Sequence, residues 1–338
     1  MIVLNCRNVN DGFVKAMDLI AQNKEYTFPS RAGEVIEVPE PVATVYRNSK
    51  ERVLFEDARN ANPFFHLIES LWMLGGCNDL EYIEYYNKRM SQFSDDGETL
   101  QGSYGFRWRE HFGGDQLGVI IERLRNDPTD RRCVLQMWDP YVDFNTESVD
   151  VPCNTAIYFK VRDGKLDMTV SNRSNDVIWG AFGANVVHMS ILQEYMAYGI
   201  GVEIGTYTQV SDSLHAYTDL FYDMYNQMEA EDAFDFYSQM SLRNPYDNKA
   251  INSFPLISTD IITWEQDLTW FLCRAPMSSV DFADPFFSEV AVPLQDAWYL
   301  YKSEEYDEAL IEVQSCLASD WGTAAYNWLN KSISNKGK

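Results

Sequence analysis

Basic side chains are scarce in this sequence. Its 27 lysines and arginines face 51 aspartates and glutamates, a formal charge of −24 over 338 residues. Such a surface repels polyphosphate and anionic membranes, which excludes general nucleic-acid binding. A small anionic ligand stays open, because a few arginines gathered in one pocket act locally whatever the global charge. Histidine is rarer still, with four copies, and the six cysteines (Cys6, Cys77, Cys133, Cys153, Cys273, Cys316) form no C-x-x-C pair and have no histidines at zinc-ligand spacing. No metal is expected, and a reduced cytoplasmic protein is the simplest reading. No apolar run approaches a membrane span, and Met1-Ile2-Val3-Leu4-Asn5-Cys6-Arg7 lacks the basic-then-apolar order of a signal peptide. Repeats, low-complexity tracts and obvious linkers are also missing.

What is present suffices for a sizeable core: 46% of residues are apolar and 14% aromatic. Phe13, Ala16, Met17 and Ile20 stand at helical spacing, followed by a turn-rich stretch, residues 27 to 33, and an alternating segment ending near Tyr46. Phe64, Leu67, Ile68, Leu71 and Trp72 predict a largely buried helix from Pro63 to about Leu74 that also carries Glu69. A helix from Gln116 to Arg125 should stop at Asn126-Asp127-Pro128, and Cys133 to Trp138 reads as a strand. The clearest local pattern is a hairpin, Thr155 to Val161 and Leu166 to Val170, turning at Arg162-Asp163-Gly164-Lys165. Asn185 to Tyr198 reads as a buried helix ended by Gly199. The expected fold class is α+β, with residues 1–255 as one domain and 256–338 as a mostly helical, acidic extension of unassigned role.

Cys153 stands in Val151-Pro152-Cys153-Asn154, just before the hairpin, where it can project from a strand end. A cysteine taken at random is more often a small buried apolar residue. Asn172-Arg173-Ser174-Asn175-Asp176, however, closes the same hairpin and returns near it, where an arginine can lower a thiol pKa and hold an anionic substrate. Further along come Ser213-Leu214-His215-Ala216-Tyr217, and upstream Ile68-Glu69-Ser70-Leu71-Trp72, Tyr104-Gly105-x-x-Trp108 and Asn126-Asp127-Pro128-Thr129-Asp130-Arg131-Arg132.

In order and spacing these motifs resemble the thymidylate synthase family, over roughly residues 10 to 225. The resemblance implies that fold, with a mixed or antiparallel sheet packed by helices, and one-carbon transfer to C5 of a pyrimidine nucleotide monophosphate. Cys153 would add to C6 and give C5 enolate character, so that C5 attacks the methylene of 5,10-methylenetetrahydrofolate, a reduced folate. Arg31, Arg173 and Ser174 would bind the phosphate, with Arg131 and Arg132 reaching it from the other subunit of a homodimer. His215 and Tyr217 would hold the sugar hydroxyl. Asp176 and Gly180 would bind the folate, and Glu69 and Tyr104 would organise proton transfer. Taken alone, each arginine reads equally as a surface ion pair, and Tyr104 as a core tyrosine.

Three departures from the synthase pattern bear on the product. Asn154 follows the nucleophile where synthases usually have histidine, Met90-Ser91-Gln92-Phe93 replaces a tryptophan-bearing stretch, and Asn335-Lys336-Gly337-Lys338 replaces a short apolar tail. Each weakens water exclusion or hydride positioning. Arg173-Ser174-Asn175-Asp176 also resembles the form in the family's nucleotide hydroxymethylases, which phages use to make modified DNA bases and which would act in the host cytoplasm. Hydroxymethylation is therefore favoured over methylation to dTMP, and over a catalytically idle nucleotide-binding protein. The base-reading stretch, Gly180-Ala181-Phe182-Gly183-Ala184-Asn185, is one residue longer than in synthases. If Asn185 reads the base, its amide matches uracil, favouring dUMP slightly over dCMP; as a plain helix N-cap it would read nothing.

Overall fold

The computed structural model describes residues 1–144, 147–235 and 244–336. The chain opens with β1 (Ile2–Cys6), α1 (Val9–Gln22), β2 (Thr27–Ser30), β3 (Gly33–Glu37) and β4 (Val42–Tyr46). Helices α2 (Pro63–Leu74), α3 (Leu80–Tyr86), α4 (Tyr104–Arg109) and α5 (Gln116–Asn126) lead to β5 (Val134–Gln136), α6 (Pro140–Asp143) and the hairpin of β6 (Asn154–Arg162) and β7 (Lys165–Asp176). Then follow α7 (Asn185–Ile200), β8 (Glu203–Tyr217), α8 (Thr218–Asp235), α9 (Ile261–Cys273), α10 (Val292–Lys302), α11 (Tyr306–Glu312) and α12 (Ser319–Lys336).

The strands make one mixed sheet in the order β1-β4-β8-β7-β6-β5, with β2 and β3 attached to the far half of β8. The β6–β7 turn forms where the Asp-Gly pair predicts it: Asp163 and Gly164 have φ of 50° and 72°, as a two-residue hairpin turn of matching twist requires. Strand β8 is long enough to serve two partners, β4 against Tyr207 to Ser211 and β3 against His215 to Tyr217. The turn-rich stretch after Thr27 is thus largely strand, because β3 finds a partner in β8 that local sequence does not reveal.

Helix α7 lies between the sheet and the helical layer, touching β7 and β8 on one side and α2 and α5 on the other. Every residue in it except Tyr198 is buried, which accounts for its lack of a polar face. It runs past Gly199, buried against Ile121 and Ile261, and ends at Gly201, whose φ of 86° is the left-handed C-cap. Helix α2 starts at an Asn62 cap with Pro63 in its first turn, and all twelve of its residues are buried. Helix α4 crosses it so closely that a Cβ on Gly105 would sit 2.0 Å from the Met73 carbonyl oxygen.

The C-terminal helices share this core. Trp298 of α10 packs on Phe64, Tyr86 and Trp328, with ring centroids 5.4, 5.9 and 5.6 Å away, and Trp264 of α9 meets Tyr195 of α7 at 5.7 Å. A polar tie runs alongside: Tyr246 Oη donates to Asp320 Oδ2 (3.0 Å) and accepts from the Val53 N–H (3.2 Å). Burial raises the Asp320 carboxyl to about 6.

Two outcomes are expected. Gly105→Ala must force α2 and α4 apart and should cost about 3 kcal/mol in urea unfolding, whereas Gly114→Ala, with open space at its Cβ, should be nearly neutral. Asp320 binds its proton more tightly folded than unfolded, so its contribution to stability is present at low pH and lost as pH rises through about 6. Asp320→Asn should remove that loss, gaining about 1 kcal/mol relative to wild type between pH 5 and pH 7.5 in paired denaturation curves.

Candidate active site

Cys153 sits at the mouth of the β6–β7 hairpin, where the ladder is irregular. Asn154 pairs with Asn172 but Ala156 with Ser171, so Thr155 is the extra residue of a bulge. The Thr155 carbonyl accepts from both the Met137 and Trp138 N–H groups, which pins the bulge to the chain after β5. Arg173 secures the other side: its N–H donates to the Cys153 carbonyl (3.0 Å), its Nε to Pro152 O and its Nη2 to Val151 O (both 3.1 Å). The expected proximity of Arg173 and Cys153 is therefore real, but its effect on the thiol is outweighed. Burial raises the Cys153 pKa more than Arg173 and Arg31 lower it, with Asp176 and Asp150 adding to the rise. Asp150 itself is raised by burial to about 6, although the Gly102 N–H donates to its Oδ2 (2.7 Å).

Strand β7 runs parallel to β8, and its register sets Ser174 beside Ser213 and Asp176 beside His215. His215 is buried, its ring edge-on to Tyr217 at 6.0 Å. Tyr217 pairs with Val35 of β3, which brings the β2–β3 hairpin and Arg31 to this end of the sheet. Arg31 is exposed, its guanidinium 3.4 Å from the carbonyls of Ser148 and Val149.

Beyond Asp176 the chain enters a wide π-type turn, Val177–Ala184, kinked at Gly183. Asn185 is consequently not an N-cap: it already has helical geometry (φ −61°, ψ −40°), and its Nδ2 donates to Asn175 Oδ1 at 3.1 Å. Asn175 in turn donates to Ser211 Oγ (2.9 Å). Gly180 lies against this pair, where a Cβ would come 3.1 Å from Asn175 Oδ1 and 3.2 Å from Asn185 Nδ2. Asp176 Oδ1 accepts from the Trp179 N–H, while its buried Oδ2 has no partner; burial raises its pKa, opposed chiefly by that N–H.

From the helical side come Glu69 of α2 and Tyr104 of α4. The Tyr104 hydroxyl meets the Asn154 backbone N–H and feels both Cys153 and Glu69; burial, then Cys153, puts its pKa well above the ordinary range. Glu69 is 5% exposed, and its Oε2 lies 2.8 Å from His188 Nε2 of α7. That contact is too oblique for a hydrogen bond, so Oε2 and both His188 nitrogens lack one. Among the described residues ten buried side-chain polar atoms have no partner, and five belong to Glu69, Asn154, Asp176 and His188. Unsatisfied buried groups are costly, and their concentration around one cysteine marks a place built to meet a ligand.

Sequence reading missed His188, hidden on a helix that reads as buried. It also missed Trp179, whose ring lies 4.6 Å from the Arg59 guanidinium and 4.9 Å from that of Arg89. Arg131 and Arg132 do not join the site. Both are exposed, Arg132 ion-paired to Asp130 (2.9 Å), at the end of β5 that faces Phe159. At strand rise they stand on the order of 20 Å from Cys153. Among the described residues no group of three His, Cys, Asp or Glu side chains is placed to hold a metal ion, and no helix is long and apolar enough to cross a membrane.

The thymidylate synthase family model matches residues 58–269. The chain is 44% identical over 338 residues to the deoxyuridylate hydroxymethyltransferase of Pseudomonas phage M6, covering 98% of this chain and 94% of that protein. It is 42% identical over 198 residues to the enzyme of the same name from Bacillus phage SP01 (55% of this chain, 52% of that protein). The corresponding figures for Delftia phage PhiW-14 are 30% over 179 residues, 50% and 49%. With its cysteine at the hairpin mouth and Asp176 and His215 side by side behind it, the chain belongs to the thymidylate synthase family.

Proposed function

We propose that this chain hydroxymethylates C5 of a pyrimidine deoxynucleotide monophosphate, dUMP ahead of dCMP, with 5,10-methylenetetrahydrofolate as carbon donor. The observation that carries the reading is the grouping of Cys153 with Arg173, Asp176, Tyr104 and Glu69 around one bulge. The phage relatives, all named deoxyuridylate hydroxymethyltransferases, favour this product over dTMP. So does buried Asn154 in the place of the usual histidine. The Met90 to Phe93 stretch lies on the short 3-10 segment Lys88–Phe93, and the tail ends on α12, Gly337 and Lys338 falling outside the described residues.

In this reading the Cys153 thiolate adds to C6, with Arg173 supplying the local positive charge. Arg173, Ser174 and Arg31 take the phosphate, and His215 and Tyr217 the sugar hydroxyl. Asp176 and Gly180 hold the folate: a buried carboxylate oxygen without a partner suits a ring bearing N–H donors. When bound, the folate supplies the one-carbon unit. Tyr104 and Glu69 form the proton network beside the adduct. The amide of Asn185, as Asn175 holds it, keeps one N–H and its carbonyl for the base, the complement of uracil O4 and N3–H.

A homodimer completes the site, with Arg131 and Arg132 crossing to the partner's phosphate. Exposed apolar side chains close to them, the cross-strand pair Val134 and Tyr158, support an interface on that face. Residues 1–255 form the catalytic part and 256–338 a helical extension that braces α2. The protein works in the cytoplasm of a phage host.

Mass spectrometry of the nucleotide after incubation with methylenetetrahydrofolate and dUMP should find the 5-hydroxymethyl product, and none with Cys153→Ala. A methyl product would make the chain a synthase, and binding without turnover an idle nucleotide binder. Asn185→Asp should lower kcat/KM for dUMP by about tenfold or more and raise dCMP turnover, since a protonated carboxyl matches cytosine; unchanged preference would remove Asn185 from base reading.

A further inference from the structure

We propose that His188 is a positioning residue for Glu69, and that the two together take up the proton released when water adds to the exocyclic methylene on the substrate's C5. This deepens the hydroxymethylation reading and rests on it. The two side chains come from facing helices, are 3% and 5% exposed, and approach to 2.8 Å. A carboxylate so buried is costly unless it is paired, and the imidazole is the partner α7 offers it. Both His188 nitrogens and Glu69 Oε2 nevertheless lack a hydrogen bond, so the pair retains capacity to hold a proton and orient a small donor.

Neighbouring groups do not compete for that proton. His66, one turn before Glu69 on α2, is held well below its ordinary pKa by burial, then by Arg59 and His188, and stays neutral. Tyr104 from α4 is raised far above neutrality by burial, and Cys153 is bonded to C6 at this step. The Arg59 cation faces His66 and donates to the Ile178 carbonyl (2.6 Å).

The step balances without an oxidant or reductant. An oxygen pair of water bonds to the methylene carbon, the C5–methylene π pair moves to C5 as an enolate with C4–O, and the water proton passes to the Glu69–His188 pair. The enolate then re-forms the C5–C6 double bond and expels the Cys153 thiolate.

The test compares wild type with His188→Leu and His188→Gln, after circular dichroism and thermal melting confirm folding. Wild type and both variants should form the covalent complex with 5-fluoro-dUMP and methylenetetrahydrofolate, because that complex stops before hydration. His188→Leu should lose on the order of 100-fold in kcat for the 5-hydroxymethyl product, with KM for dUMP within about twofold. His188→Gln, whose amide stands near the position of Nε2 without titrating, should recover much of kcat but displace the acidic limb of the kcat–pH profile. A folded variant with wild-type kcat and an unmoved limb would overturn the proposal. If only His188→Gln folds, its pH profile decides. Failure of wild type to form the covalent complex would instead overturn the underlying reading, and this inference with it.

Discussion

The site depends on the parallel pairing of β7 with β8. Two motifs about forty residues apart in sequence meet because Asp176 falls opposite His215 and Ser174 opposite Ser213. A slip of one residue would turn every side chain of one strand to the other face, sending either Asp176 or His215 into the helical layer. The register is held by the helix between the strands: α7 is buried on all sides, packed between the sheet and the helices α2 and α5. The packing that buries α7 therefore also aligns the residues around Cys153, and it carries His188 to Glu69.

Much of this was legible in the sequence, for reasons that can be separated. The hairpin was readable because Asp-Gly accepts the positive φ angles of its turn, and α2 because its apolar stripe is long and begins at Asn-Pro. The motifs around Cys153, Arg173, Asp176 and His215 were readable through family resemblance. What stayed hidden was tertiary. The β2–β3 hairpin exists because β8 offers it an edge, and the end of α7 lies at Gly201 because Gly199 is in the helix packing interior. Asn185 offered two readings, and only the π-type turn before it decides against the cap. His188 gave no signal at all, since one histidine on a buried helix looks like a core residue.

The electrostatics join these elements. A chain with nearly twice as many acids as bases keeps Arg173 and Arg31 near Cys153, yet burial still raises the thiol pKa. The same burial raises Asp176 and Tyr104, and it leaves several polar atoms of the site short of partners. Such a site is stabilised by a ligand that brings complementary charge and hydrogen bonds, which a nucleotide phosphate, a pyrimidine edge and a pterin all provide.

The packing of Trp298 and Trp328 on Phe64 bears on how the molecule is made. Helix α2 leaves the ribosome early, but the aromatic side chains that cover its outer face are more than two hundred residues downstream. Until α10 and α12 emerge, the helix bearing Glu69 has an uncovered apolar flank, so this part of the fold is closed by contacts of very high sequence separation. The wall behind Glu69 is thus completed only after α10 and α12 have been made, and a nascent chain stalled before residue 292 would hold all the motifs of the site without it.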